Sequence, residues 1–319
     1  MVSGHAAGEH DLSTFIPEHR HRQVLDSCAD VPDESPAFPL PIKGVGISGK
    51  TVWVALAENN GGRIPFSARI LVNLDADRRG IHMSRIEEAI TSLHDKEFNS
   101  LPEYGRLLAS HILTRQKAGS VSLELTGRLP LVRQAPFSRL NSIDTLEVSF
   151  KLVSETGSGR ETGHSQVGAE MYHLTACPCT LAYNRKLFGR FHDPWPQATH
   201  SQRSRTRLRV TSPAEEQLPS YGDLQDILAS VLHISQDLLK RPDETELVLK
   251  AHREPQFAED AVRMVAWAAG EKFKGILSPE TRIQVHTLSL ESIHIHDVEC
   301  SLDTRLGDIS ATLHPTKQE

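Results

Sequence analysis

The sequence is poor in cysteine, methionine and aromatic residues: 319 positions hold 4 Cys, 4 Met and 5% Phe, Trp and Tyr. Four thiols in a chain this long do not make the disulfide framework of a small secreted domain. Two of them, Cys177 and Cys179, are too close together to staple distant segments to each other. No apolar run approaches the ~20 residues of a membrane-crossing helix. The segment Met1 to Phe15 is polar and has no apolar signal-peptide core. A cytoplasmic protein without a membrane partner is therefore expected. Positive charge is also in deficit, with 35 Lys and Arg against 41 Asp and Glu and a net charge of −6. That excludes a broad nucleic-acid-binding surface as the main function but leaves room for a local basic pocket.

What is present in quantity is histidine, with 17 residues. It is the side chain best suited to metal ligation and proton transfer near neutral pH, although most single histidines are expected on the surface or in local hydrogen bonds. Hydrophobic residues make up 38% and charged residues 24%, which allows a sizeable core and argues against wholesale disorder. The length allows one large domain or two ordinary ones.

Residues 1–30 read as a polar tail, and Pro32, Pro36, Pro39 and Pro41 mark an extended entry segment. Two strands are expected at Thr51–Ala57 and Phe66–Leu74, joined by the turn signal Asn59-Asn60-Gly61-Gly62. Helical patterns follow near Ser84–His94, with Ser84 as N-cap, and at Pro102–Lys117, where Leu107, Leu108, His111 and Ile112 share a face. Strands are expected again at Ser120–Thr126 and Thr145–Val153. The stretch 155–164, rich in Gly and Ser, reads as a linker or hairpin loop. A second, similar series follows: strands at Val167–Thr175 and Thr206–Thr211, helices at Tyr221–Leu232 and Glu259–Phe273, and strands at Arg282–Leu288 and Glu299–Thr304. The order ββααββ, met twice, points to an α+β fold of antiparallel strands, not a parallel Rossmann-like sheet.

One motif matches a well-known pattern and fails on context. Gly44-Val-Gly-Ile-Ser-Gly49-Lys50-Thr51 satisfies the spacing of a phosphate-binding P-loop. That loop needs a strand before it and a helix after it, so that helix amides can cradle phosphate. Here the strand-forming Val52-Trp53-Val54 follows, and the glycines are expected to form a turn into a strand.

Four short constellations could carry chemistry. Ala176-Cys177-Pro178-Cys179-Thr180, followed by Thr199-His200-Ser201-Gln202-Arg203, places two thiols on an irregular segment with a histidine further on. A thiolate and an imidazole suit a soft or borderline metal, and the spacing alone leaves two small buried thiols equally open. Arg241-Pro242-Asp243-Glu244-Thr245-Glu246 precedes Phe257-Ala258-Glu259-Asp260, whose carboxylates fall in the first turn of a helix. They read either as helix caps or as a grip on adjacent donors such as guanine N1–H and its 2-amino group. Glu291-Ser292-Ile293-His294-Ile295-His296 puts two rings on one face of an expected strand, with a carboxylate beside them. Gly80-Ile81-His82-Met83-Ser84-Arg85 reads as a helix start that could also hold phosphate through His82 and Arg85.

Taken in order, these motifs resemble GTP cyclohydrolase type IB, a bacterial and archaeal family of the tunnelling-fold superfamily, over residues 30–305. The resemblance implies a bimodular tunnelling fold: two ββααββ units with antiparallel sheets and paired helices, at 31–158 and 159–319, the second carrying a metal site. It also implies GTP as substrate and a divalent metal (Zn, Mn or Fe(II)) as cofactor. A homotetramer with active sites at subunit interfaces would be the assembly. By position, Cys177, His200 and Glu244 would be the metal ligands, with Glu246 in reserve. Glu259 would anchor guanine, and Glu291, His294 and His296 would handle protons. His82, Arg85 and Arg203 would meet phosphates. Cys179 would assist catalysis or form a redox pair with Cys177.

The implied reaction attacks C8 of GTP and releases formate to give 7,8-dihydroneopterin triphosphate, a step toward pterins and folate. The stretch Leu181–Thr199 is longer than in the compact bacterial form and comparable to the archaeal form, which makes a 2′,3′-cyclic phosphate instead. The element around Pro130–Ser142 matches the family only loosely. A non-catalytic pterin- or nucleotide-binding module is the alternative of another class.

Overall fold

The computed structural model describes residues 15–57, 62–157, 160–189, 197–213 and 216–313. The central residues of the expected Asn59–Gly62 turn, and His5, His10 and His192, lie outside the described residues. In chain order the elements are α1 (Glu18–Ser27), β1 (Ile42–Leu56), β2 (Arg63–Leu74), α2 (Met83–Thr91), β3 (Glu97–Phe98) and α3 (Leu101–Gln116). Then come β4 (Ser120–Gln134), β5 (Asn141–Gly157), β6 (Arg160–Ala176), α4 (Pro178–Phe188), β7 (Ser201–Pro213), α5 (Tyr221–Val231) and β8 (His233–Ile234). The series ends with α6 (Arg241–Arg253), α7 (Ala258–Phe273), β9 (Arg282–Ser289), β10 (Val298–Arg305) and α8 (Leu306–Leu313).

The expected bimodular tunnelling fold, with two separate ββααββ units, is corrected by the sheet. Among the described residues there is one continuous ten-stranded mixed sheet, ordered β10-β9-β7-β6-β5-β4-β2-β1-β3, with β8 paired to β6. The reason is local. The Gly/Ser-rich stretch joins two long strands, and β5 and β6 pair from Glu147↔Glu170 to Gly157↔Arg160, welding the two halves into one sheet. The sheet is mixed because β3 runs parallel to β1 through Ala55↔Glu97 and Leu56↔Phe98. Helices do not come in two matched pairs either: α4, α5, α6, α7 and α8 all fall in the second half.

Alternation along the strands explains the layering. In β2 the even positions Ile64, Phe66, Ala68, Ile70, Val72 and Leu74 are buried, and β7 and β9 show the same two-residue period. One face of an antiparallel sheet can thus be apolar and covered by helices while the other stays polar. Helix α3 is set by Ser100, whose Oγ accepts from Glu103 N, and it packs tightly where Gly105 meets Phe150. A Cβ on Gly105 would lie 2.3 Å from Phe150 Cε1. Phe150 is fully buried, so the ring has little room to move. Gly105→Ala is expected to cost about 1–3 kcal/mol by overpacking, read as a lower urea midpoint at unchanged m-value; an unchanged midpoint would contradict the packing described.

The P-loop-like run lies inside β1, with strand on both sides and a bulge between Ile47 and Lys50. Gly46 is needed there because a Cβ would fall 1.9 Å from the Ile70 carbonyl oxygen. Lys50 Nζ pairs with Glu87 at 2.7 Å. The expected Ser84 cap is also corrected: the cap lies two residues earlier, with His82 as N-cap and Met83 as the first helical residue.

At one end of the sheet, the helix-covered face turns from apolar to hydroxyl-rich. His173 Nε2 meets Thr206 Oγ1 at 2.8 Å, and Thr206 Oγ1 meets Thr287 Oγ1 at 2.8 Å, all buried. Burial pushes the His173 imidazole down to about 4, with the Leu174 carbonyl opposing and His233 adding to the effect. The ring is neutral in the fold, whereas in the unfolded chain it takes a proton near about 6.5. Between those values the unfolded state binds more protons, so stability falls as pH falls from about 6.5 to about 4. The loss is at most about 3 kcal/mol at about 1.4 kcal/mol per pH unit. Urea midpoints measured from pH 7 to 4.5 should fall less steeply for His173→Asn than for the parent; equal slopes would contradict the neutral buried ring.

Candidate active site

The site is built where β6 ends and β7 begins. Their last register pair is Ala176↔Ser201, which leaves Cys177 and His200 side by side just beyond it. Two bonds lock them: Cys177 N donates to the His200 carbonyl at 3.0 Å, and Thr199 Oγ1 donates to the Cys177 carbonyl at 2.7 Å. Cys177 is not on an irregular segment, as expected from sequence, but is the N-cap of α4. Pro178 suits the first helical position because its missing N–H would be unpaired there anyway. The Cys177 Sγ accepts from Thr180 N at 3.5 Å and from Thr180 Oγ1 at 3.7 Å, which orients the sulfur.

From His200 a hydrogen-bond chain runs across the end of the sheet. His200 Nδ1 lies 3.2 Å from Gln202 Oε1, and Gln202 Nε2 donates to Glu291 Oε1 at 3.2 Å. Ser289 Oγ donates to the same Glu291 oxygen at 2.9 Å. Behind it, Thr175 Oγ1 is 3.3 Å from Ser289 Oγ and 2.8 Å from Ser204 Oγ, all three buried.

Residues His294 and His296 were expected on a strand. The structure places them in a bent, exposed connection between β9 and β10. Their rings still come together, stacked at 5.2 Å between centroids, and the His294 ring stands edge-on to His200 at 6.4 Å. Cys177, His200, Glu291, His294 and His296 thus form one group drawn from three separate stretches of sequence.

The other expected site residues lie apart from that group. Cys179 is exposed in the first turn of α4, two residues from Cys177, a spacing at which helical side chains do not face each other. Both thiols are free. Glu244 and Glu246 are exposed on α6. The buried neighbour Asp243 fixes that helix start, accepting from Phe137 N at 2.8 Å, Ser138 N at 3.0 Å and Lys240 N at 3.1 Å. Burial would raise the Asp243 carboxyl, but the hydrogen bonds from Ser138, Lys240 and Phe137 hold it well below the usual carboxylate range. These bonds tie α6 to the tip of the β4–β5 hairpin, which is the loosely recognised Pro130–Ser142 element.

Glu259 is exposed in the first turn of α7, at the end where β9 and β10 lead into the His294–His296 connection. The Cys300 thiol is pushed up, mainly by burial and further by the Glu259 charge, so these two groups are close. Arg203 lies over the Tyr172 ring at 5.5 Å, on the rim of a cavity of about 470 Å³ shared with Asp144 and Gln236.

The first-half candidates, His82 and Arg85, face carboxylates where the polar tail meets the proline-rich entry segment. His82 Nε2 is 3.2 Å from Asp33 and its Nδ1 3.5 Å from Asp30, while Arg85 lies 4.0 Å from Asp30. The His82 hydrogen bond is the main reason the Asp33 carboxyl is lowered. Among the described residues, Asp30, Asp33 and His82 form the one group of three whose ligand atoms lie within 4.8 Å of one another. Cys177, His200 and Glu244 do not form such a group within one chain. Sequence reasoning missed Asp30 and Asp33, which are about fifty positions from His82, and gave Gln202 no role. Gln202 was discoverable: it stands two residues from His200 at the start of an expected extended stretch, a spacing that turns both side chains to one face.

The sequence matches the family described as type I GTP cyclohydrolase folE2 over residues 28–299. The chain belongs to that family. The matched description is folE2, so the type IB tunnelling-fold label implied by the motif resemblance is replaced by it. Among its relatives, the GTP cyclohydrolase MptA of Methanobrevibacter smithii is 26% identical over 306 residues, covering 89% of this chain and 97% of the relative. The GTP cyclohydrolase MptA of Thermococcus kodakarensis is 29% identical, covering 83% and 96%.

Solved structures show a related fold. A uricase from Arthrobacter globiformis aligns with a TM-score of 0.53 at 7% identity, over 82% of this chain and 93% of that one. A urate oxidase of Bacillus sp. TB-90 aligns at 0.51 and 10%, over 83% and 100%. At that identity they speak for the large mixed sheet alone. No helix among the described residues is long and apolar enough to cross a membrane.

Proposed function

We propose that this chain is a metal-dependent GTP cyclohydrolase that hydrolyses the imidazole ring of GTP at C8, releases formate and yields 7,8-dihydroneopterin triphosphate. The observation that carries this reading is the locked Cys177–His200 pair with Glu291, His294 and His296 beside it. A thiol and an imidazole with a free ring nitrogen fit a borderline divalent metal such as Zn, Fe(II) or Mn. Cys177 Sγ and His200 Nε2 would hold it, with Glu244 as third ligand or Glu246 in its place. The exposed position of both carboxylates suits a site completed by a second copy of the chain, in a homotetramer. When bound, the metal supplies a Lewis acid and an activated water.

The chain's own residues account for the rest. Glu259 would accept the N1–H and 2-amino hydrogens of guanine and so fix the ring at the end of the sheet. His294, stacked on His296, would supply the proton to the purine imidazole nitrogen. Glu291 accepts from both Gln202 and Ser289 through one oxygen, which leaves its second oxygen for proton exchange. Arg203 would meet phosphate. His82 and Arg85 could do so only after releasing Asp30 and Asp33.

A second reading concerns the product alone. The long stretch between Cys177 and His200 favours the 2′,3′-cyclic phosphate, whose formation must also release two phosphates as pyrophosphate. Mass spectrometry of the product from metal-reconstituted protein and GTP separates these outcomes. A triphosphate product without pyrophosphate supports the first, and a cyclic monophosphate with pyrophosphate supports the second. GTP binding without formate would leave a non-catalytic module.

A further inference from the structure

Gln202 lies between a proposed metal ligand and a proposed proton-handling carboxylate, and it touches both. Its side-chain amide has one end that only accepts and one that only donates. A carboxylate can only accept, and Glu291 Oε1 already takes a hydrogen bond from Ser289 Oγ. The amide end facing Glu291 must therefore be the NH2, as observed at 3.2 Å. That choice turns Oε1 toward His200 Nδ1 at 3.2 Å, so Nδ1 must carry the ring proton. The proton on Nδ1 in turn leaves Nε2 with a free lone pair, and no hydrogen bond of Nε2 is found among the described residues.

The hydroxyl side follows the same logic. Ser289 spends its proton on Glu291, so Thr175 donates to Ser289 and Ser204 donates to Thr175. Both arms of the network therefore point their protons at one oxygen of Glu291. The Thr175, Ser204 and Ser289 hydroxyls are buried, which shields that arm from exchange with water.

We propose that Gln202 is a positioning residue that transmits the orientation of Glu291 to His200, fixing the ring tautomer that exposes Nε2 to the metal. The inference rests on the reading of His200 as a metal ligand. Outer partners of this kind typically change metal affinity 10–100-fold when removed. Gln202 also separates two effects that a packing role would not separate. A glutamate at 202 still accepts from Nδ1–H, but it repels Glu291. A leucine of similar size can do neither.

The test is Co(II) affinity by competition with a chromogenic chelator, with kcat and KM for GTP measured on the same preparations and folding checked by thermal melting. Gln202→Leu is expected to bind Co(II) about 10–100-fold more weakly and to lose kcat. Gln202→Glu is expected to keep the parent's Co(II) affinity within about threefold while losing kcat by at least tenfold, since it preserves the acceptor and displaces Glu291. Parent-like Co(II) affinity in Gln202→Leu, or equal weakening in both variants, would overturn the role of Gln202. Failure of the unaltered protein to bind Co(II) would overturn the metal reading itself.

Discussion

Cys177→Ser is expected to lower kcat for formate release from GTP by about a thousandfold or more. A catalytic metal is worth several kcal/mol of transition-state stabilisation, and about 4 kcal/mol corresponds to about 10³ in rate. Serine is the informative replacement because Cys177 serves two ends at once. As N-cap of α4 it receives the Thr180 amide, and serine is among the best residues for that task. The backbone lock to His200 and Thr199 involves no side-chain atom of residue 177. Helix, strand ends and melting temperature should therefore survive while the soft ligand is lost. KM for GTP should move less than about tenfold, since the groups expected to grip the nucleotide lie elsewhere. Full activity in Cys177→Ser would remove the sulfur from the ligand set.

Glu259→Ala is expected to act on a different quantity. A carboxylate accepting from guanine N1–H and the 2-amino group makes two charge-assisted hydrogen bonds, each worth about 1.5–3 kcal/mol. Their loss corresponds to about 10²–10⁴ in kcat/KM. The specificity of the effect decides its origin. Inosine triphosphate lacks the 2-amino group, so the parent should favour GTP over it and Glu259→Ala should lose most of that preference. A carboxylate that merely caps α7 would cost stability but leave the ratio of the two substrates unchanged. The proximity of Glu259 to Cys300 offers a control: Cys300→Ser should leave the preference for GTP intact.

The meeting of the candidate side chains was more legible in the sequence than the architecture. Cys177 and His200 are separated by a long stretch, yet they meet because β6 and β7 pair up to Ala176↔Ser201. Strands were expected within β7 and β9, and both alternate between buried and partly exposed side chains. The union of the halves was not announced, because Gly and Ser in 155–164 serve a linker and a hairpin equally well. Only the pairing of β5 with β6 decides between them. Helix α4 was missed because cysteine is not an ordinary N-cap and Pro178 alone reads equally as a breaker. The His294–His296 strand was misjudged because period-two spacing cannot tell a strand from a bent connection whose rings stack. Asp243 was given no role of its own in the sequence, because its bonds to Phe137 and Ser138 depend on a hairpin tip more than a hundred positions away. Such long-range polar contacts leave no periodic trace in a single sequence.

The most direct measurement follows carbon 8 itself. GTP labelled with ¹³C at C8 is incubated with the protein reconstituted with Zn, Mn or Fe(II), and ¹³C-formate is quantified by NMR. Cyclohydrolase chemistry predicts one labelled formate per GTP consumed, abolished by chelation and restored by metal. Consumption of GTP without labelled formate, or no consumption with any of the three metals, would contradict it.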